Sequence, residues 1–131
     1  MKPLLADSSA WISYFTKTSD DPLAEAIQRA KKEKRLAICG MIFLEIIRGC
    51  RSTKEFGELS EELQSLLWLS VEEAHWGLAG KIGFYMAQKG IHPPATDLLI
   101  GAVAIQCQCQ LLHRDKHFNQ IAKYFPVRLV D

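Results

Sequence analysis

The chain has 131 residues, of which 48% are hydrophobic and 24% charged, and this balance predicts a single globular domain over residues 1–131. The formal net charge of +1 excludes the strongly basic composition that marks many nucleic-acid-binding proteins. An acid already at position 7 argues against a secretory signal peptide, and the longest apolar run, 98–105, is too short to span a bilayer, so we expect a cytoplasmic protein.

Short apolar runs alternate along the chain with segments of helical periodicity. Pro22 suits the first turn of a helix, Gly40 is expected to end a strand, and Gly49 and Gly90 each follow a helical pattern. In chain order, the patterns predict a strand at 3–6, helices at 8–15 and 22–32, a strand at 36–39, helices at 41–48 and 52–67, a short edge strand at 68–71, helices at 72–89 and 96–107, a strand at 110–113, a helix at 116–124 and a strand at 127–130.

Strands that alternate with helices predict an α/β fold, in which helices cover both faces of a short, mostly parallel sheet of four to five strands. The helix at 96–107 is apolar nearly all round and is expected to be central and buried. The inward face of the helix at 52–67 is expected to consist of Phe56, Leu59, Leu63, Leu66 and Leu67. The inward face of the helix at 72–89 is expected to include Ala74, Leu78, Ile82, Tyr85 and Met86.

Four acidic residues stand at the ends of apolar runs or inside them, namely Asp7, Glu45, Asp97 and Asp115. Carboxylates are rarely buried unless something compensates their charge. Two carboxylates about 4 Å apart repel each other by roughly 4 kcal/mol at an effective dielectric near 20. Asp7 and Asp115 follow predicted strands, and in parallel sheets ligands bind beyond the carboxyl ends of the strands. We therefore expect the four acids to converge around a cation.

Each acid also has an ordinary structural alternative. Asp7, Asp97 and Asp115 each stand where they can cap a helix, a role worth about 1 kcal/mol, and Glu45 can pair with Arg48 three residues on. Taken together, however, carboxylates at one site suit a hard cation such as Mg2+ or Mn2+, which polarises a phosphoryl oxygen and activates water. The chain has no glycine-rich phosphate loop, which argues against a nucleoside triphosphatase.

Four segments of the chain resemble, in the right order, the motifs of PIN-domain ribonucleases of the VapC toxin type. They are LADSSAWI at 5–12, ICG at 38–40 leading into LEIIRG at 44–49, PATDLLIGA at 94–102, and LLHRDKHF at 111–118. The resemblance implies a PIN-like three-layer fold and Mg2+-dependent endonucleolytic cleavage of RNA, with Mn2+ as an alternative ion. It also implies a homodimer and inhibition by a cognate antitoxin protein.

The candidate site residues are the four acids, in ranked roles. Asp7 and Asp97 are expected to be the principal metal ligands. Glu45 and Asp115 are expected to complete the acidic ring, directly or through water, and to help orient the attacking water. All four are candidate catalytic residues.

Other polar residues near the motifs are candidates for supporting roles. Ser8 or Thr96 is expected to hydrogen-bond a ligand carboxylate. His117 stands where many relatives carry a further acid, and His113 stands where a hydroxyl is common. We prefer a solvated or core histidine to a phosphate-binding one, and the H-x3-H spacing does not favour a zinc site.

Basic and aromatic residues supply candidate surfaces for partners. Arg48 and Arg114 each lie beside a predicted site acid and are better placed to meet a phosphate than the basic run at 29–35, for which we prefer a solvated helix end. Trp11, Tyr14 and Phe15 are expected in the core or in a dimer interface. In the resembling family, an antitoxin helix packs onto this region.

Two other functional classes remain for comparison. A phosphatase of the haloacid-dehalogenase type needs a second Asp where Ser9 stands, and a receiver domain needs an acidic pair where Leu5 and Ala6 precede Asp7. Both are therefore weak alternatives. The alternative from another class is a catalytically inactive PIN-fold module that acts by binding protein or RNA.

Overall fold

A computed structural model describes residues 2–16 and 21–130 of the chain. The elements, in chain order, are β1 (Leu4–Ala6), α1 (Ser8–Thr16), α2 (Pro22–Lys32), β2 (Leu36–Cys39), α3 (Gly40–Ile47), α4 (Thr53–Gln64), β3 (Leu67–Leu69), α5 (Glu73–Gln88), α6 (Ala95–Gln106), β4 (Gln110–Leu112), α7 (Lys116–Ala122) and β5 (Arg128–Leu129). Across the two described ranges, no helix is both long and apolar enough to cross a membrane.

The five strands form one parallel sheet in the order β3-β2-β1-β4-β5. At its centre, Leu4 of β1 pairs with Leu36 of β2 on one side and with Gln110 of β4 on the other. Every residue of β1 and β2 is buried, as expected of a parallel sheet covered by helices on both faces. The predicted α/β fold is thus confirmed, and the carboxyl ends of β1, β2 and β4 share one edge of the sheet.

The helix α6 is buried along most of its length, as its apolar sequence predicts. Gly83 of α5 permits close packing against it, because a Cβ atom at that position would lie only 2.9 Å from Leu98 Cδ1. A larger residue would have to push α5 away from α6 or displace Leu98. Since Asp97 stands in the first turn of α6, this packing helps to set where its carboxylate lies.

The helix α4 is shorter than predicted, and part of its expected inward face is wrong. It ends at Gln64, where the Ser65 hydroxyl donates to the Glu62 carbonyl at 2.7 Å, and Leu67 already pairs with Ala37 in the sheet. Leu67 is 44% exposed and Phe56 is 48% exposed. The periodicity ran on past the helix end because the apolar residues of β3 continue the pattern in sequence.

The buried face of α5 also differs from the predicted one. The structure buries His75, Ala79, Ile82 and Met86. Ala74 and Tyr85, which were expected to face inward, are exposed. Three glycines along this helix weaken its apolar pattern, and the buried face includes a histidine and an alanine, which hydrophobic periodicity does not readily identify.

The strand β2 ends before Gly40, as predicted, and Gly40 is the first residue of α3, one residue earlier than the predicted start of that helix. The strand passes directly into the helix, with Cys39 in an extended conformation at the N-cap (φ −124°, ψ 166°). Because of this short connection, α3, which carries Glu45, begins at the carboxyl edge of the sheet.

Candidate active site

The four predicted acids stand on four different segments around the carboxyl edge of the sheet. Asp7 follows β1 directly, Glu45 lies on the helix after β2, Asp97 lies in the first turn of α6, and Asp115 follows β4. The Asp7 amide donates to the Leu112 carbonyl at 2.9 Å, which ties the end of β1 to the end of β4. Sheet pairing thus brings the segments of Asp7 and Asp115 side by side.

Asp97, Asp115 and His117 form a tight cluster, here called the α6–α7 cluster. Each offers one ligand atom, and the three atoms lie within 4.8 Å of one another. His117 Nδ1 is 2.8 Å from Asp115 Oδ1 and 3.2 Å from Asp97 Oδ2. His117 therefore lies among the acids, which differs from the preferred prediction of a solvated or core histidine.

Asp97 does not have the capping role that was its structural alternative. Pro94 is the N-cap residue of α6, and no side chain caps that helix. Asp97 is buried, and its Oδ2 atom lacks a hydrogen-bond partner within the described chain. A buried acceptor without a partner costs about 1–3 kcal/mol, more when charged, so this carboxyl requires compensation from another source.

The burial of Asp97 raises its pKa to about 8, with further contributions from the hydrogen bond and charge of Asp115 and from the charges of Asp7 and Glu45. Burial also raises the pKa of Glu45, and the charge of Asp7 adds to the effect, while Ser8 and Arg48 oppose it. These mutual effects mean that the acids lie within electrostatic reach of each other.

Asp115 behaves in the opposite way to Asp97. Burial acts to raise its pKa, but the hydrogen bonds with Asp97 and with the His117 amide, together with the His117 side chain, outweigh it and hold the pKa below the usual value. The two carboxyls of Asp97 and Asp115 therefore titrate as a pair. The Asp115 carboxylate also accepts from the His117 amide at 2.9 Å and so caps α7, which means that its structural role coexists with its place in the cluster.

Asp7 is held by a residue that the sequence interpretation passed over. The Ser9 hydroxyl donates to Asp7 Oδ2 at 2.8 Å and accepts from the Arg114 amide at 2.9 Å. Ser9 thus links Asp7 to the turn between β4 and α7. An Asp followed two residues later by Ser is a turn signal that would have identified it, whereas the sequence prediction named Ser8 or Thr96.

Glu45 is the least constrained of the four acids. Among the ion pairs of residues 2–16 and 21–130, none joins Glu45 to Arg48, so the pair that was its structural alternative is absent there. Glu45 Oε1 is buried and lacks a hydrogen-bond partner in the same ranges. Together with Ser8 and Arg48, Glu45 lines a cavity of about 560 Å3 between α1, α3 and α4.

His113 and Arg114 have structural partners. His113 Nδ1 accepts from the Asp115 amide at 2.9 Å, its ring lies 5.1 Å from that of Phe118, and burial lowers its pKa. Arg114 Nη2 lies 3.0 Å from Oδ1 of the buried Asp21, which also caps α2. Arg114 is therefore already paired, and of the two predicted phosphate contacts Arg48 remains the more available.

The donor set fits a divalent cation. Carboxylate oxygens are the ligands that Mg2+ and Mn2+ prefer, and this edge of the sheet offers them from four segments. Asp97 Oδ2 and Glu45 Oε1 are buried acceptors without hydrogen-bond partners in the described chain. A cation bound at the α6–α7 cluster would compensate Asp97 Oδ2, whereas Glu45 and Asp7 are not part of that cluster.

Comparisons with known proteins show the family of this chain. The PIN domain family model matches residues 4–124. Over 124 residues the chain is 30% identical to Ribonuclease VapC11 of Mycobacterium tuberculosis and to VapC ribonuclease Mb1587 of Mycobacterium bovis, and the match covers 92% of this chain and 92% of each relative.

Solved structures share the fold at lower sequence identity. The chain matches the crystal structure of VapBC2 from Rickettsia felis bound to a DNA fragment from its promoter, with a TM-score of 0.78 and 18% identity over 97% of this chain and 96% of that one. It matches DNA-bound VapBC from Salmonella typhimurium with a TM-score of 0.77 and 17% identity, over 100% of this chain and 98% of that one.

Proposed function

Because this chain belongs to the PIN-domain family, among the VapC ribonucleases, we propose that it is a metal-dependent endoribonuclease and the toxin of a toxin–antitoxin pair. The observation that carries the proposal is Asp97, a buried carboxyl whose pKa is raised to about 8 beside three other acids. Strongly perturbed carboxyls that lack a structural role are typical of catalytic and metal-binding sites.

We assign the chemistry to Asp7, Glu45, Asp97 and Asp115. Asp7 and Asp97 would hold the ion, with Asp115 and Glu45 bound directly or through water. When bound, Mg2+ or Mn2+ supplies polarisation of the scissile phosphoryl group and a lowered pKa for water. Asp97 must give up its proton to become a ligand, so cation binding is coupled to proton release.

Glu45 is suited to orient the attacking water and to accept its proton. Its pKa is raised by burial and by Asp7, which brings its basicity closer to that of an efficient general base. Its Oε1 has no competing partner in the described chain. Arg48, exposed one turn further along, is in position to contact a backbone phosphate of the RNA.

The basic run at 29–35 contributes less to RNA binding in this proposal. Lys31 pairs with Glu62 at 2.8 Å, and Arg35 pairs with Glu33 at 2.8 Å. Two of its five cations are thus matched by nearby acids, which supports the interpretation of this segment as a solvated helix end.

The cavity between α1, α3 and α4 is the proposed antitoxin site. Its apolar wall includes Ile12, which is 62% exposed, and Phe15, and its rim carries acids of α4 such as Glu55 and Glu58. A segment with apolar anchors and basic flanks would match this surface, and the presence of Glu45 in the same cavity would bring the antitoxin next to the catalytic acids.

The proposal also includes a homodimer that acts in the cytoplasm. The helix α5 exposes Trp76 and Phe84 on one side, with Gly80 between them, and such an apolar stripe is suited to a second copy of the chain. Sedimentation of the wild type and of Phe84→Glu tests this part. A dimer that is weakened by the substitution supports it, and a wild-type monomer contradicts it.

The central test is RNA cleavage by the purified chain, free of antitoxin, with Mg2+ or Mn2+ present. Wild type is expected to cut RNA, and both Asp97→Asn and added antitoxin are expected to stop cleavage. Sequencing of RNA ends after brief induction in cells then identifies the cut sites. Failure of the wild type to cut any RNA with either ion would leave the inactive binding module as the better interpretation.

A further inference from the structure

The α6–α7 cluster contains a nitrogen donor in a site that is otherwise built of carboxylates. His117 Nδ1 lies 2.8 Å from Asp115 Oδ1 and 3.2 Å from Asp97 Oδ2. In an octahedral complex with bonds of about 2.1 Å, neighbouring ligand atoms stand about 3.0 Å apart. The two distances at His117 Nδ1 therefore match the edges of one coordination octahedron.

Neither contact meets hydrogen-bond geometry. Both distances are within the range of an ion pair, but Nδ1 is a buried atom without a hydrogen-bond partner in the described chain. Neither oxygen therefore lies along the bonding direction of the nitrogen. Ligands of a common ion have this arrangement, because their lone pairs converge on the ion and not on each other.

Asp97 provides an independent indication of a ligand at this point. Only 9% of its side-chain surface is exposed. Its Oδ2 atom, which lies 3.2 Å from His117 Nδ1, also lacks a hydrogen-bond partner in the described chain. These two buried polar atoms belong to different helices and lie 3.2 Å apart without a hydrogen bond. A cation between the elements would satisfy both.

Local structure holds His117 in place for this role. Asp115 Oδ1 accepts from the His117 amide at 2.9 Å, and this cap fixes the first turn of α7. The imidazole and the Asp115 carboxylate are therefore held on the same turn, beside Asp97 of α6. Neither side chain needs to move far to bind one ion.

We propose that His117 Nδ1 is a direct ligand of the catalytic cation, and that this nitrogen makes the site favour Mn2+ over Mg2+. The inference rests on the proposed function for the presence of a cation. Mg2+ prefers oxygen ligands, whereas the affinity of first-row transition ions increases with imidazole donors. An all-carboxylate version of the same site should lose this preference.

The test is direct binding of MnCl2 and MgCl2, without RNA. Pulsed EPR of the Mn2+-loaded wild type is expected to show hyperfine coupling to a nitrogen, and His117→Asp is expected to lose it. Calorimetry is expected to show that His117→Asp lowers the preference for Mn2+ over Mg2+ by about tenfold or more. His92→Asn, which changes an exposed histidine, serves as the matched control and should keep both properties.

Two outcomes would overturn the proposal. One is Mn2+ bound to the wild type without nitrogen coupling, and the other is coupling that persists in a folded His117→Asp protein. Nitrogen coupling together with no RNA cleavage would refute the proposed ribonuclease and leave the ligand assignment intact. Cleavage without nitrogen coupling would refute only the assignment of His117.

Discussion

The two sides of the acidic site are held by different means. On the side of α6 and α7, Asp97, Asp115 and His117 crowd within 4.8 Å, and burial together with the neighbouring acids raises the pKa of Asp97 to about 8. On the side of β1 and α3, the Ser9 hydroxyl holds Asp7, and Glu45 lines an open cavity. The crowded side needs a proton or a cation, so we expect it to control metal binding, while the open side orients water and substrate.

The largest expected effect is that of Asp97→Asn. The substitution keeps the shape but removes the charge that binds the ion, so RNA cleavage should fall by about 1000-fold or more, and Mn2+ affinity should fall with it. Single-turnover cleavage and calorimetry measure the two losses, with circular dichroism to verify the fold. If Asp97→Asn bound Mn2+ as tightly as the wild type, the α6–α7 side would not be the side that controls metal binding.

Glu45→Gln should separate catalysis from metal binding. If Glu45 accepts the proton of the attacking water, cleavage should slow by about 100-fold while Mn2+ affinity changes little. The same two assays apply, and the comparison with Asp97→Asn provides the contrast. A loss of metal affinity as large as that of Asp97→Asn would instead make Glu45 a principal ligand.

Stability of the metal-free protein should depend on pH through Asp97. Its folded pKa of about 8 lies above that of an unfolded Asp, so the folded state binds the proton more tightly between those values. The free energy of unfolding should therefore fall as pH rises through this window, by up to about 1.4 kcal/mol per pH unit, and stop falling above it.

Denaturant unfolding of wild type and Asp97→Asn in chelator, from pH 5 to 9, checks this expectation. The variant should show a much shallower slope, and saturating Mg2+ or Mn2+ should restore stability to the wild type at high pH. If the free energy of unfolding of both metal-free proteins depended on pH with the same slope, a group other than Asp97 would bind the proton responsible.

The smallest expected effect is that of Ser9→Ala, on the open side. Loss of the hydroxyl that donates to Asp7 should cost about 1 kcal/mol, or roughly fivefold in cleavage, with a minor change in metal affinity. Ser70→Ala changes an exposed serine and is the matched control. Full activity in Ser9→Ala would mean that the strand pairing of β1 and β4 alone holds Asp7.

Several structural features could be predicted because they depend on residues that are close together in the sequence. Apolar runs predicted the strands that form the parallel sheet, and the nearly all-apolar sequence predicted the buried α6. The pattern was less informative at the boundary between α4 and β3, so Leu67 was predicted in the helix although it belongs to the strand. The predicted buried face of α5 also left out His75 and Ala79, which the structure buries. Hydrophobic periodicity indicates which residues of one element are buried. It does not indicate where a helix ends and the next strand begins.

The sequence by itself determined the fold class, the order of the motifs and the identity of the four acids, because each depends on residues that are near in the chain. Only the tertiary structure decided that Asp97 is not a helix cap, that Ser9 holds Asp7, and that His117 joins Asp97 and Asp115. These contacts depend on how α6 packs between α5 and α7 and on the register of β1 against β4. Distances between separate elements are set by that packing, which no local pattern contains.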